Sequence, residues 1–183
     1  DSIVEAGGTE LWADTADAVA ARARSLQAAG VRPGKRVALL AENSGDFIRT
    51  FLAVARAGAI AAPLNTRLKD ADACLLLADA AHAGAAAELA AGGAVTAVHA
   101  IGEGSALPRL PVASEGTETP CPEDAVVCLL YTGGTTGRPK GVMHSSRSLV
   151  MNAFQSAAIL GDAEAMRFVH VAPMFHIGAI AYV

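Results

Sequence analysis

Val31-Arg-Pro-Gly-Lys-Arg-Val-Ala-Leu-Leu-Ala-Glu-Asn-Ser-Gly-Asp-Phe-Ile-Arg-Thr-Phe-Leu-Ala-Val-Ala-Arg-Ala-Gly-Ala-Ile-Ala-Ala-Pro-Leu64 carries a turn, a strand, a helix and a second strand in one run. Val31 to Gly34 is turn chemistry, with Pro33 and Gly34 adjacent. Arg36 to Ala41 is a short apolar run suited to a strand buried on both faces. Ser44 can cap the helix that follows, whose apolar residues Phe47, Phe51 and Val54 recur at helical spacing up to Gly58. Ala59 to Leu64 is another apolar run, ended by Asn65. Upstream, Trp12, Ala16, Val19, Ala23 and Leu26 fall on one helical stripe, with Arg22, Arg24 and Gln27 off it, and Gly30 ends that helix. Downstream, Asp70 or Asp72 can cap a third helix through Leu75, Leu76 and Ala80, and weaker β signals follow at Ala83–Ala87 and Val95–Ile101. This alternation predicts an α/β fold, a mostly parallel sheet flanked by helices.

From Gly102 to Asp124 the texture changes to Gly, Ser, Pro, Thr and Glu, with Pro108, Pro111, Pro120 and Pro122, which reads as an irregular connector. No internal repeat is evident. A new apolar strand then runs from Ala125 to Tyr131.

Composition narrows the function. The 183 residues carry 14 Lys+Arg against 18 Asp+Glu, a formal net charge of −4, with no Lys/Arg cluster. A nucleic-acid binder needs several cations on one face, so that class is set aside. The apolar fraction is 52% with only 4% aromatic, a consequence of many alanines. The most apolar stretch, Phe51 to Leu64, is broken by Arg56 and Pro63, short of the roughly 18 residues that span a bilayer. Cys74, Cys121 and Cys128 form no Cys-x-x-Cys pair, so neither a disulfide framework nor a zinc site is indicated and no metal ligands are assigned. A reducing, cytoplasmic setting is the default expectation. The chain opens at Asp1 without Met and stops inside an apolar stretch, so the expectation is a fragment.

The strand ending at Tyr131 delivers Tyr131-Thr-Gly-Gly-Thr-Thr-Gly-Arg-Pro-Lys-Gly-Val142. Gly133, Gly134, Gly137 and Gly141 let the backbone approach a ligand, so that successive amide N–H groups converge on an anion. Thr132, Thr135 and Thr136 add hydroxyl donors, Lys140 a mobile point charge, and Arg138 a second cation. A bend of this kind between two buried strands suits a polyphosphate. It is not a Walker A loop, because Lys140 is followed by Gly141 and the apolar Val142-Met143, not by Ser or Thr and a helix.

The string resembles the signature loop of the adenylate-forming superfamily, which includes acyl-CoA synthetases, peptide-synthetase adenylation domains and firefly-type luciferases. The usual pattern is Tyr-Thr-Ser-Gly-Thr-Thr-Gly-x-Pro-Lys-Gly-Val, and Gly133 stands where Ser is typical, so one hydroxyl is missing. Further blocks agree: Arg32 to Ser44, Ala57 to Leu68, and Pro173-Met-Phe-His-Ile-Gly178. The resemblance covers most of the chain, with only Ala83 to Asp124 generic. It implies the N-terminal part of the large adenylation domain over residues 1–183, with the rest of that domain and the mobile C-terminal domain absent.

What the resemblance implies for chemistry follows residue by residue. Thr132, Gly134, Thr135, Thr136, Gly137 and Lys140 would contact the β- and γ-phosphates of ATP, with Gly133 contributing its backbone, while a substrate carboxylate attacks the α-phosphorus and pyrophosphate leaves with Mg2+. Such catalysis is charge neutralisation and positioning. His176 resembles the histidine of acyl- and aryl-CoA ligases that lies beside the reacting carboxylate and the coenzyme A path, and Phe175, Ile177 and Gly178 would wall the acyl or thiol channel. His82, His99 and His170 read as structural, and His144 stays open. The expected activity is an acyl- or aryl-CoA ligase using ATP, Mg2+ and coenzyme A on a small carboxylic acid. A ligase that loads a carrier protein, or a non-catalytic nucleotide-binding relative, are the alternatives. Neither the acid nor the oligomeric state, a homodimer included, is fixed by these residues.

Overall fold

A computed structural model describes residues 3–5, 8–65, 73–93, 95–116, 119–132, 140–161 and 168–180. The core is a six-stranded sheet in the order β6-β5-β3-β4-β7-β8. Its strands are β3 (Arg36–Leu40), β4 (Ile60–Pro63), β5 (Leu75–Ala78), β6 (Val98–Ala100), β7 (Val126–Thr132) and β8 (Lys140–Ser145). All neighbours are parallel except β7 and β8, which are antiparallel. Helices α1 (Trp12–Ala28) and α2 (Gly45–Arg56) cover one face and α3 (Ala83–Ala91) the other. The period-two alternation of strands sorts the side chains: Val37, Leu39, Leu75 and Leu77 meet Leu26, Phe47 and Val54, while Ala38, Leu40, Leu76 and Ala78 meet Ala86. The mostly parallel α/β sheet expected from sequence is the architecture found.

Two elements are exchanged relative to the sequence expectation. Leu75–Ala78 is a strand buried on both faces between β3 and β6, not the start of a third helix, and Asp70 and Asp72 lie outside the described residues. The helix is instead the alanine-rich Ala83–Ala91, where a β signal was expected. A four-residue apolar run satisfies two parallel neighbours at once, and alanine is the strongest helix former. The buried stripe of α1 is also rotated at its start, with Thr15, Val19, Ala23 and Leu26 inside and Trp12 66% exposed. The strand after the bend is not buried either: β8 lies at the sheet edge, with Lys140 to Met143 exposed.

Local chemistry sets the ends of the elements. Ser44 Oγ accepts the Phe47 N–H at 3.1 Å and caps α2, a contribution of about 1 kcal/mol. Gly58 follows α2 with φ +76°, and a Cβ there would lie 2.6 Å from Thr119 Cγ2, so both backbone and space demand glycine. Between helices, Arg22 pairs with Asp46 at 2.7 Å, and buried Thr50 donates to the Asp46 carbonyl at 2.6 Å, which leaves its hydroxyl satisfied in the core. Among the described residues no helix is long and apolar enough to cross a membrane.

A hairpin not foreseen from sequence, β1 (Ile3–Glu5) with β2 (Gly8–Glu10), is antiparallel and docks on α2 through Arg49. The guanidinium bonds Glu10 (Nε to Oε2, 3.0 Å) and Asp46 (3.1 Å). The hydrogen bond from Arg49 is the main cause that holds the Glu10 carboxyl below its ordinary value of 4.5. A carboxylate so lowered stabilises the fold above its ordinary pKa and loses that contribution as pH falls through the native value. The stability difference between wild type and Glu10→Gln, measured as urea midpoints, is therefore expected to be largest near neutrality and to shrink as pH drops below 4.5. An unchanged difference at acid pH would exclude the ion pair as its source.

Candidate functional site

Because β3 to β7 are parallel, their carboxyl ends lie along one edge. Strand β3 lies between β4 and β5, so the strand order reverses beside it, and ligands of such sheets sit in the crevice outside those carboxyl ends. Two sequence-derived groups are delivered to this edge, one by β7 and one beside β3. With only β4 between them, the axes of β3 and β7 are two inter-strand spacings apart, about 10 Å.

The first group is the neck of the glycine-threonine loop. Thr132 ends β7, Lys140 opens β8, and the two are register partners. Thr132 Oγ1 donates to the Lys140 carbonyl at 3.3 Å, so the loop is closed at its base by ladder and side chain together. Gly133, Gly134, Thr135, Thr136 and Gly137 lie outside the described residues. At Gly141 a Cβ would lie 2.9 Å from Leu129 Cδ1, so glycine lets the return strand seat against β7 directly after the lysine. Lys140 itself is exposed.

The second group is the His176 segment. Met174, Ala179 and Ile180 are buried in the main core, and the exposed His176 stands between them on the turn that enters α5 (Ile177–Ile180). The His176 N–H donates to the Pro173 carbonyl at 3.0 Å, and the His176 carbonyl accepts from Ala179 at 3.0 Å and Ile180 at 3.1 Å. Phe175 is half-buried, its ring centroid 6.0 Å from that of His176 and tilted by 47°. Ile177 is 45% exposed, and Gly178 has open space where a Cβ would be.

Sequence reading missed Asn43, which lies between β3 and the cap of α2. Its side chain holds the backbone of residues 170–174 through three hydrogen bonds. Asparagine just after a buried strand is the only signal in the sequence, and its partners are 127 and more residues away. His82 pairs with Asp79 at 2.6 Å, His99 Nδ1 lies 3.1 Å from the Arg109 carbonyl, and His144 pairs in register with Cys128 on the edge strand. Burial pushes the Cys128 thiol up to about 12 and raises that of Cys74, which disfavours the thiolate at both.

The sequence profile of the family described as AMP-binding enzyme matches residues 3–183. This chain belongs to that family. Among curated relatives, the AMP-binding chain is 37% identical over 196 residues to a feruloyl-CoA synthase of Amycolatopsis sp, covering 98% of this chain and 37% of that protein. It is 33% identical over 170 residues to a long-chain-fatty-acid–CoA ligase of Mycobacterium tuberculosis, covering 86% of this chain and 34% of that one. Among solved structures, ATP-bound MatB from Rhodopseudomonas palustris superposes with a TM-score of 0.81 at 27% identity, covering 96% of this chain and 37% of that one. The AMP-binding chain thus spans little more than a third of the length of these relatives.

Proposed function

We propose that the whole protein activates a small carboxylic acid with ATP and passes the acyl group to coenzyme A. In the first step a carboxylate oxygen attacks the α-phosphorus and pyrophosphate leaves, giving acyl-AMP. In the second the coenzyme A sulfur attacks the acyl carbon, the thiol proton is lost, and AMP leaves with the bonding pair. The observation that carries this reading is the closed neck Thr132–Lys140 at the end of β7, two strands from the junction after β3 where Asn43 binds the segment leading to His176. Relatives named as CoA ligases support it.

The roles follow from the chemistry of each group. Lys140 and Thr132, with Gly133, Gly134, Thr135, Thr136 and Gly137, would neutralise and hold the polyphosphate. His176 would orient the reacting carboxyl group and stabilise charge on the acyl phosphate, with Phe175, Ile177 and Gly178 beside the acyl or thiol path. Among the described residues no group of three or more His, Cys, Asp or Glu could hold a metal ion. Mg2+, which the resemblance implies, would offset phosphate charge on the bound nucleotide. A cytoplasmic setting belongs to the same proposal.

The test is acid-dependent ATP–pyrophosphate exchange by the full-length protein over a panel of short, long and aromatic acids, followed by capture with free coenzyme A. Exchange with one class of acid and thioester formation are expected. Capture only by a phosphopantetheinyl carrier would move the protein to the carrier-loading alternative, and no exchange with any acid would leave a non-catalytic nucleotide binder. The 183 residues alone are expected to catalyse neither half-reaction and to bind ATP more weakly than micromolar, as equilibrium titration would show.

A further inference from the structure

We propose that Asn43 is a positioning residue for His176, fastening the histidine's segment to the β3–α2 junction; the inference rests on the ligase reading of the site. Both Nδ2 protons are used, donating to the His170 carbonyl at 3.0 Å and the Ala172 carbonyl at 2.8 Å. Oδ1 accepts the Met174 N–H at 2.8 Å. A single amide thus binds three backbone groups on alternate residues, much as a neighbouring strand would. Only a side chain with both donor and acceptor at this length can do so.

The platform is buried and capped, and the segment it holds is irregular. Asn43 follows β3, whose Val37 to Leu40 are buried, and precedes Ser44, whose side chain caps α2. Residues 168–173 belong to no helix or strand, and the Val171 N–H donates to the Val169 carbonyl at 3.1 Å. Downstream of the histidine, α5 and the buried Ala179 and Ile180 fix the chain. Upstream, the Asn43 bonds and the buried Met174 do so. His176 is therefore held from both sides, and release of the upstream side lets its ring wander from the position the acyl transfer requires. A misplacement of about 1 Å at such a site costs on the order of a hundredfold in rate. The loop neck at Lys140 is carried by β7 and β8 and makes no use of Asn43, so nucleotide binding is spared.

The experiment uses the full-length protein with Asn43→Ala, His176→Ala and the double variant. For Asn43→Ala, kcat for thioester formation is expected to fall tenfold or more, with KM for ATP within about twofold of wild type. The double variant is expected to be no slower than the slower single, since residues acting as one unit are not additive. Unchanged kcat, or losses that multiply, would overturn the assignment. Hydrogen exchange gives a readout independent of activity: the Met174 amide should exchange at least tenfold faster in Asn43→Ala, with the β3 amides unaffected. Should the alanine variant unfold, Asn43→Asp is isosteric, turns lone pairs on the His170 and Ala172 carbonyls, and carries the same kinetic test. A wild-type protein that forms neither adenylate nor thioester would end the ligase reading alone; Met174 exchange then decides on Asn43, and unchanged protection in the variant would refute the fastening.

Discussion

On the proposed ligase activity, Lys140→Ala in the full-length protein is expected to lower kcat/KM for acid-dependent ATP–pyrophosphate exchange by about a hundredfold or more, with thermal stability unchanged. Removing one preorganised donor from a site of developing charge costs about 2.7–4 kcal/mol, and an ammonium on a polyphosphate is a charge-assisted contact of that kind. The fold loses nothing comparable. Lys140 is exposed, and it is its backbone carbonyl, kept in the variant, that accepts from Thr132 and pairs across the ladder. Exchange kinetics with a melting curve on the same sample separate the two effects. Normal rate and nucleotide affinity after replacing Lys140 together with Thr132, Thr135 and Thr136 would remove this loop from the chemistry.

Phe47→Ala carries the largest expected cost to stability, about 3–5 kcal/mol. Phe47 is 1% exposed and packs from α2 into the main core with Val37, Leu39 and Val54. Its N–H keeps the bond to Ser44 Oγ in the variant, so the loss is the ring and the cavity it leaves, not the cap. Against a total of roughly 5–15 kcal/mol for a domain of ordinary stability, that loss is a large share. Urea unfolding of the two proteins measures it, and a change below about 1 kcal/mol would mean that the ring is not packed as described.

What could be read in advance was local. The strand Arg36–Leu40, the Ser44 cap, the helix behind it and the strand entering the glycine-threonine loop are each written in a short window, through apolar runs and one polar stop. Where tertiary neighbours decide, the reading failed. Leu75–Ala78 takes its strand identity from β3 and β6 on either side, and a four-residue apolar run does not announce those partners. Helix α4 (Ser146–Leu160) was not anticipated, because it has no buried residues and Val150, Met151 and Phe154 are all at least half exposed. Its cap, Ser145 Oγ accepting the Ser148 N–H, is local, but no buried apolar stripe follows it to mark a helix. Candidate site residues were legible as motifs, Thr132, Lys140 and His176 among them, whereas Asn43 was not, since its meaning lies in carbonyls on a remote segment.

The strand order has a kinetic consequence. Strand β7 pairs with β4 through Ala61 and Cys128, although β5, α3 and β6 intervene along the chain. Closing so long a loop costs entropy before any contact is gained, and sheets built on distant pairings assemble slowly. The half of the sheet around β3 can condense from nearby sequence, whereas the bend that begins at Thr132 must wait for its strand to be captured. The base of the loop at Thr132 is thus expected to form late, after the strands around β3 have paired.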